Sequence, residues 1–264
     1  MNLTIINDCR DDNARARQLA RAKSLIGHEA VFVGVANDLE AAGCIIDILD
    51  AYGEAGGTII ANVAPRNGGG KRWPNGTPFA YARIGNSLVL ASISGLTWSL
   101  IRKLGLAQSI EVMDIPTVLE TLAGAGVLAP EAVEPIVKSQ FRSYEFLPRV
   151  AAYLLAGGAV PSETVLLDDL DQAGPAVWWA DNFGNCKTSL LPREIDFKAG
   201  QALNTAWGGL LCYDRLKDVP DGKPAIIVGS SGFGSDRFLE LVVQGGSAAR
   251  KFGIETGQNI IGKP

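Results

Sequence analysis

Only one histidine, His28, occurs in the chain, and that scarcity excludes every site built on two imidazoles, the two-histidine zinc helix among them. His28 falls in LIGHEAVFVGV, where a helical pattern gives way to a strand. Nothing nucleophilic is near it in sequence, so it reads as a structural or surface residue. The four cysteines (Cys9, Cys44, Cys186 and Cys212) lie far apart and form no Cys-x-x-Cys pair. They read as free thiols of a reducing compartment, not as a zinc knuckle or disulfide frame, and no metal is expected. Long apolar runs are missing as well, and the start, MNLTIINDCRDDNARA, carries acids where a signal peptide has its apolar stretch. A cytosolic protein without a membrane partner is the expectation. Positive charge is in short supply: 24 Lys and Arg against 28 Asp and Glu leave a formal charge of −4, which argues against a general nucleic-acid binder but leaves room for a local basic site.

What is present is the composition of a globular protein, 47% hydrophobic and 20% charged over 264 residues, enough for one large core or two smaller ones. The first part alternates strand and helix. Residues 3–7 (LTIIN), 30–35 and 57–63 (GTIIANV) are short apolar runs between turn formers and read as buried strands. Between them, residues 11–26 and the segment after Asn37 and Asp38 carry helical spacing and capping residues. Gly85-Asn86 between two apolar runs predicts a hairpin, and helices are expected around 97–104, 115–123 and 146–155. After Gly157 the texture changes. GGAVPSETVLLDDLDQAGP suits a connection, and the strand-like runs beyond it are short and punctuated by Gly and Pro. The expected architecture is an α/β domain with a central mixed sheet over residues 1–159, a linker over 160–172, and a smaller all-β, barrel-like domain over 173–264.

Four stretches can carry chemistry. RNGGGKRW follows a strand, where α/β proteins commonly bind ligands. Its glycines allow backbone N–H groups to approach an anion, and Lys71 and Arg72 add positive charge, yet Arg72 stands where a phosphate loop has Ser or Thr. A flexible basic turn is the plainer alternative. GSSGFGSDRF lacks the dinucleotide spacing and reads by itself as a β-turn. Asp8, at the end of the first strand, suits a ribose diol, whereas Asp11 and Asp12 suit capping or solvent. In DNFGNCKTS, Phe183 can lie on a base while Asn185 offers a donor and an acceptor to one edge of adenine. The alternative is a hairpin with Phe183 in the core, and the residues alone do not choose.

These pieces stand in the order found in the S-adenosylmethionine hydroxide adenosyltransferase family, which also contains fluorinase and chlorinase, and the chain resembles that family from about residue 3 to residue 254. IINDCRDD is similar to its opening strand and acids, GGTIIANVAPRNGGGKRW to its strand and Pro-Gly turn, and SQFRSYEFLPRVAAYLLAGG to its Phe-His-Gly-Arg-Asp helix entrance. WWADNFGNCKTSL and RFLELVVQGGSAARKFGI resemble its two most specific closing segments. The resemblance implies an enzyme that splits S-adenosylmethionine into adenosine and methionine by displacement at the ribose C5′. No cofactor is needed beyond this substrate. It puts Asp8 on the ribose, Phe183 and Asn185 around adenine, and Asp181 toward the methionine amino group. Ser235 would meet the methionine carboxylate, Ser143 would lie beside the nucleophile, and the turn residue Asn67 joins the substrate-binding set. Homotrimers with shared pockets are implied for the assembly.

The chain departs from that pattern where the family holds its attacking oxygen. Ala64 stands at the Asp position, Lys71 with Arg72 at the Arg position, and Arg142 at the His position, while Arg66 follows Pro65 in place of glycine. Lys71, Arg72, Arg142 and Ser143 are therefore the catalytic candidates, able to support an anionic nucleophile. An arginine, however, is no general base at neutral pH. Two other readings follow: a weak or inactive binding protein for adenosine or S-adenosylmethionine, or an enzyme using another anionic nucleophile or a phosphorylated nucleoside.

Overall fold

A computed structural model describes residues 1–64, 73 and 76–262. The chain divides into two compact units, Met1–Asp171 and Gln172–Pro264. In the first, β1 (Asn2–Asn7), β2 (Val31–Gly34), β3 (Gly57–Asn62), β4 (Phe79–Ile84), β5 (Ser87–Ser92), β6 (Ser109–Met113) and β7 (Glu163–Leu166) form one sheet in the order β2-β1-β3-β5-β4-β6-β7. The strands β2, β1, β3 and β5 run parallel, whereas β4 is antiparallel to both β5 and β6, and β7 to β6, so the sheet is mixed as expected. The β4–β5 hairpin turns on Gly85-Asn86. Ile84 pairs with Ser87 and Gly85 has φ +54°, a type II′ turn in which only the first central residue needs positive φ.

Helices cover both faces of this sheet. Alternation along β1 and β5 turns Leu3, Ile5, Leu88 and Leu90 to one side, where they join residues of α1 (Asp12–Ile26), α4 (Ile115–Gly124) and α6 (Arg142–Leu155) in a single core. On the other side α2 (Asp38–Tyr52) packs on β1 and β3 and meets α3 (Ser99–Lys103), with Ile45, Ile46, Trp98 and Ile101 buried. A short α5 (Val133–Val137) leads toward α6. Asp11 caps α1 by accepting from Ala14 N, and Asn37 caps α2 through Glu40 N. His28 is exposed. No helix among the described residues is long and apolar enough to cross a membrane.

The segment 160–172, expected as a linker, instead contributes the edge strand β7. Its hydroxyls explain why: Ser162 Oγ and Thr164 Oγ1 donate to the Glu111 carboxylate of β6 at 2.7 and 2.9 Å. A Ser/Glu/Thr run that reads as loop in sequence becomes a strand through polar cross-strand bonds at a solvated edge.

In the second unit, β8 (Val177–Ala180), β9 (Cys186–Thr188), β10 (Ala202–Thr205), β11 (Gly208–Tyr213), β12 (Pro224–Phe233) and β13 (Asp236–Val243) form a sheet in the order β10-β11-β12-β13-β9-β8. Its two edges are joined by the segment 257–262. Val177 N donates to Gln258 O and Ile260 N to Pro175 O on one side, while Ala206 N donates to Ile260 O and Gly262 N to Asn204 O on the other. The sheet thus closes on itself, giving the barrel-like domain expected, around Val177, Cys186, Leu210, Ile226, Leu239 and Ile260. A short helix, α7 (Ala248–Phe252), follows β13.

Candidate functional site

The turn between β8 and β9 is built around one carboxylate. Asp181 Oδ1 accepts from Phe183 N and Asn185 N, both at 2.9 Å, and Oδ2 accepts from the Asn185 side-chain Nδ2 at 3.0 Å. Asp181 N donates to Asn185 O and Gly184 N to Asp181 O. With its backbone tied off in this way, the turn projects Phe183 outward, 70% exposed. The alternative of Phe183 as a core residue is therefore overturned. Gly184, at φ +87°, lies against the start of α7: a Cβ there would fall 1.9 Å from Ser247 Oγ, and Ala249 N donates to Gly184 O at 3.0 Å. Ser247 caps α7, accepting from Arg250 N at 3.1 Å.

Turn and helix flank a cavity of about 1170 Å³ whose walls include Asp181, Phe183, Asn185, Lys187, Glu240 and Ser247. Glu240 is buried, 8% exposed, and accepts from Ser230 N at 3.2 Å. Gly229 makes its place possible, since a Cβ there would come within 2.5 Å of Glu240 Cγ. Burial, then the negative charges of Asp181 and Glu240, push the Cys186 thiol up to about 12. This cysteine is not a nucleophile at neutral pH. Asp181, Phe183 and Asn185, singled out in sequence, share this one cavity. Ser235 is not among its lining residues. It is exposed in the turn joining β12 to β13, where Phe233 pairs with Asp236 and Gly234 takes φ +57°.

The first unit holds the other candidates. Asp8 follows β1 at the carboxyl end of the sheet, where neighbouring strands depart to either side; its N donates to Asn62 O and its Oδ2 accepts from Ala64 N at 3.2 Å. This is the switch-point position at which open α/β sheets receive ligands. Arg142 opens α6, and its guanidinium lies on Gly76: a Cβ at Gly76, φ +71°, would be 1.5 Å from Nη2. Burial lowers the pKa of Arg142. Ser143 is the next residue of the helix and is half-buried. The residues after it tie α6 to α1. Tyr144 carries the guanidinium carbons of Arg17 and Arg21 at 5.0 and 4.7 Å from its ring centre, and Glu145 pairs with Arg21 at 2.8 Å and Arg149 at 3.4 Å. Asn67, Lys71 and Arg72 lie outside the described residues.

Residues 175–261 match the family model described as SAM hydroxide adenosyltransferase C-terminal domain. The second unit matches this domain along nearly its whole length. The match contains the whole Asp181–Asn185 turn, Glu240 and Ser247, so the resemblance read from WWADNFGNCKTSL and RFLELVVQGGSAARKFGI holds over nearly all of this unit. A domain of this family points to an enzyme that handles S-adenosylmethionine. Across the whole chain the fold is similar to that of an uncharacterized conserved protein from Thermotoga maritima, with TM-score 0.66 at 14% identity over 97% of both chains. It is also similar to a conserved hypothetical protein from Thermus thermophilus, with TM-score 0.58 at 20% identity over 99% of this chain and 100% of the other. These likenesses speak for the fold. No curated protein matches.

Two residues lining this cavity are not singled out by the sequence motifs. Glu240 was detectable: in RFLELVV it is the acid flanked on both sides by leucines, Leu239 and Leu241, that belong to the core. A carboxylate at mid-strand asks for partners. Ser247 also had a signal, since a serine after Gly-Gly and before Ala-Ala is an N-cap pattern.

Proposed function

We propose that this protein binds an adenosyl ligand in the cavity of its second unit and cleaves S-adenosylmethionine to adenosine and methionine. The observation that carries this reading is the convergence of an exposed aromatic, Phe183, and a carboxamide, Asn185, on one cavity, within a domain of a family named for this chemistry. A flat ring supplies a stacking face for a base, and a carboxamide supplies the donor and acceptor that an adenine edge requires. In the first unit, Asp8 at the switch point offers a carboxylate for a ribose diol.

The reaction is a displacement. A water oxygen bonds to the ribose C5′, the bond from C5′ to the sulfonium sulfur breaks with its electron pair going to sulfur, and one proton is released. Methionine leaves as a neutral thioether. Exclusion of bulk water and alignment of the oxygen opposite the sulfur supply the rate. In this proposal Arg142, partly desolvated at the start of α6, supports a developing hydroxide electrostatically, with Ser143 the next residue of the helix; neither acts as a base.

Ala64 favours a second reading, that of an adenosyl-binding protein with little turnover, because a methyl group stands where a carboxylate would orient the water. Incubation with S-adenosylmethionine and chromatography of the products decides between them. Adenosine and methionine formed in equal amounts, and lost in Arg142→Ala, establish the hydrolase; calorimetric binding without products establishes the binding protein. Absence of both binding and products overturns the proposal. The trimer implied by the family resemblance is checked in parallel by light scattering.

A further inference from the structure

Asp181 carries bonds beyond the task that the resemblance implies for it. Among the described residues, the three hydrogen bonds to its carboxylate come from within its own turn, two from backbone N–H groups and one from the Asn185 carboxamide nitrogen. We infer that Asp181 is a positioning residue that fixes the polarity of the Asn185 carboxamide and so makes the cavity select a purine bearing a 6-amino group over one bearing a 6-oxo group. The inference rests on the reading of this cavity as the adenosyl site.

The chemistry is directional. A carboxylate only accepts, so the end of Asn185 facing it has to be the NH₂ end; the reversed amide would bring two acceptor oxygens to the same 3.0 Å. The turn cannot relax around a reversed amide. Asn185 N is held by the same carboxylate, Asn185 O by Asp181 N, and Gly184 is pinned against Ser247. What Asn185 offers to the cavity is therefore its carbonyl oxygen, with the second N–H beside it. Adenine presents the complement, an amino donor next to a ring-nitrogen acceptor. A 6-oxo purine puts an oxygen where that carbonyl oxygen stands, and a site built to receive a donor rejects it strongly.

Calorimetry on the full chain with adenosine and with inosine tests this. The wild type is expected to bind adenosine at least about tenfold more tightly than inosine. In Asp181→Asn the side-chain oxygen still accepts from the turn's backbone, which leaves its NH₂ group facing Asn185 and favours the reversed carboxamide, so the ratio falls to one or below, chiefly through weaker adenosine binding, with an unchanged circular dichroism spectrum. If that variant does not fold, Asp181→Ser, which caps the turn but is too short to hold the carboxamide, reads the same ratio. A purely structural Asp181 would weaken both nucleosides alike and leave the ratio intact, which overturns the inference. Absence of adenosine binding in the wild type removes the reading of the cavity. Adenosine binding that is lost in Asn185→Ala while the ratio survives in Asp181→Asn removes this inference alone.

Discussion

The two units solve the problem of holding polar groups in different ways. In the second, one carboxylate, one glycine and one helix cap assemble a cavity whose side chains are fixed within a stretch of five residues and a single strand-to-helix connection. In the first, Asp8 is anchored to the end of β3, and Arg142 to Gly76 and the start of α6, each by its own element. A local solution can be read from a short motif and survives sequence drift as a block. A distributed one depends on the sheet, and each position drifts separately. The resemblance read from the sequence follows the same contrast: the Asp181–Asn185 turn lies within the matched residues 175–261, whereas Ala64 and Arg142, where that reading finds departures, belong to the first unit.

The contrast can be tested from both sides. Phe146→Ala should act most strongly, because Phe146 is fully buried in α6 and stacks on Phe79 of β4 with ring centres 5.8 Å apart. A loss of about 3–5 kcal/mol in urea denaturation is expected, and a much smaller loss would mean that α6 is not held by the sheet. Gly184→Ala comes next. It imposes a side chain at positive φ and collides with Ser247, for roughly 2–4 kcal/mol and a loss of adenosine binding. Retained binding would show that the turn and α7 need not stay in register. Asn185→Ala should weaken adenosine binding by about 1–3 kcal/mol with the fold intact.

A smaller effect is expected in alkali. The Cys186 thiol keeps its proton to about pH 12 in the folded state, while an unfolded cysteine releases it near pH 9. Between those values the unfolded chain binds fewer protons, so stability falls as pH rises, by up to about 1.4 kcal/mol per pH unit. Cys186→Ser should flatten this slope in denaturation measured at pH 8 to 10, and an unchanged slope would assign the alkaline loss elsewhere. Least of all, Ser235→Ala should change ligand affinity and stability by under about 0.5 kcal/mol, since the residue is exposed in its turn. A large effect there would show that the β12–β13 turn reaches the ligand.

The layered α/β unit was legible because strand and helix periodicities differ, and because Asp11 and Asn37 announce their helices with capping side chains. The strands β6, β7 and β10 were not. Each is short, β7 and β10 lie at sheet edges, and β7 is held by hydroxyl-to-carboxylate bonds that a hydrophobic pattern does not register. In the cavity, Phe183 and Asn185 were visible as residue types suited to a base. The bonds of Asp181 were not, because which of its neighbours it bonds depends on the tight path of the turn, and the burial of Glu240 depends on the room that Gly229 leaves on the neighbouring strand.

The strap at 257–262 carries a kinetic consequence. It bonds to residues 175–177 on one side and 204–206 on the other, so its contacts span the longest sequence separations in the barrel. Contacts of that kind form late, after the entropy of closing the intervening loop has been met. Until then β8 and β10 are two open edges, each displaying a row of unpaired N–H and C=O groups that any other strand can copy. The last event in folding this unit is therefore also the one that removes its aggregation hazard, and anything that slows the docking of the strap lengthens the time during which two chains can pair with each other instead.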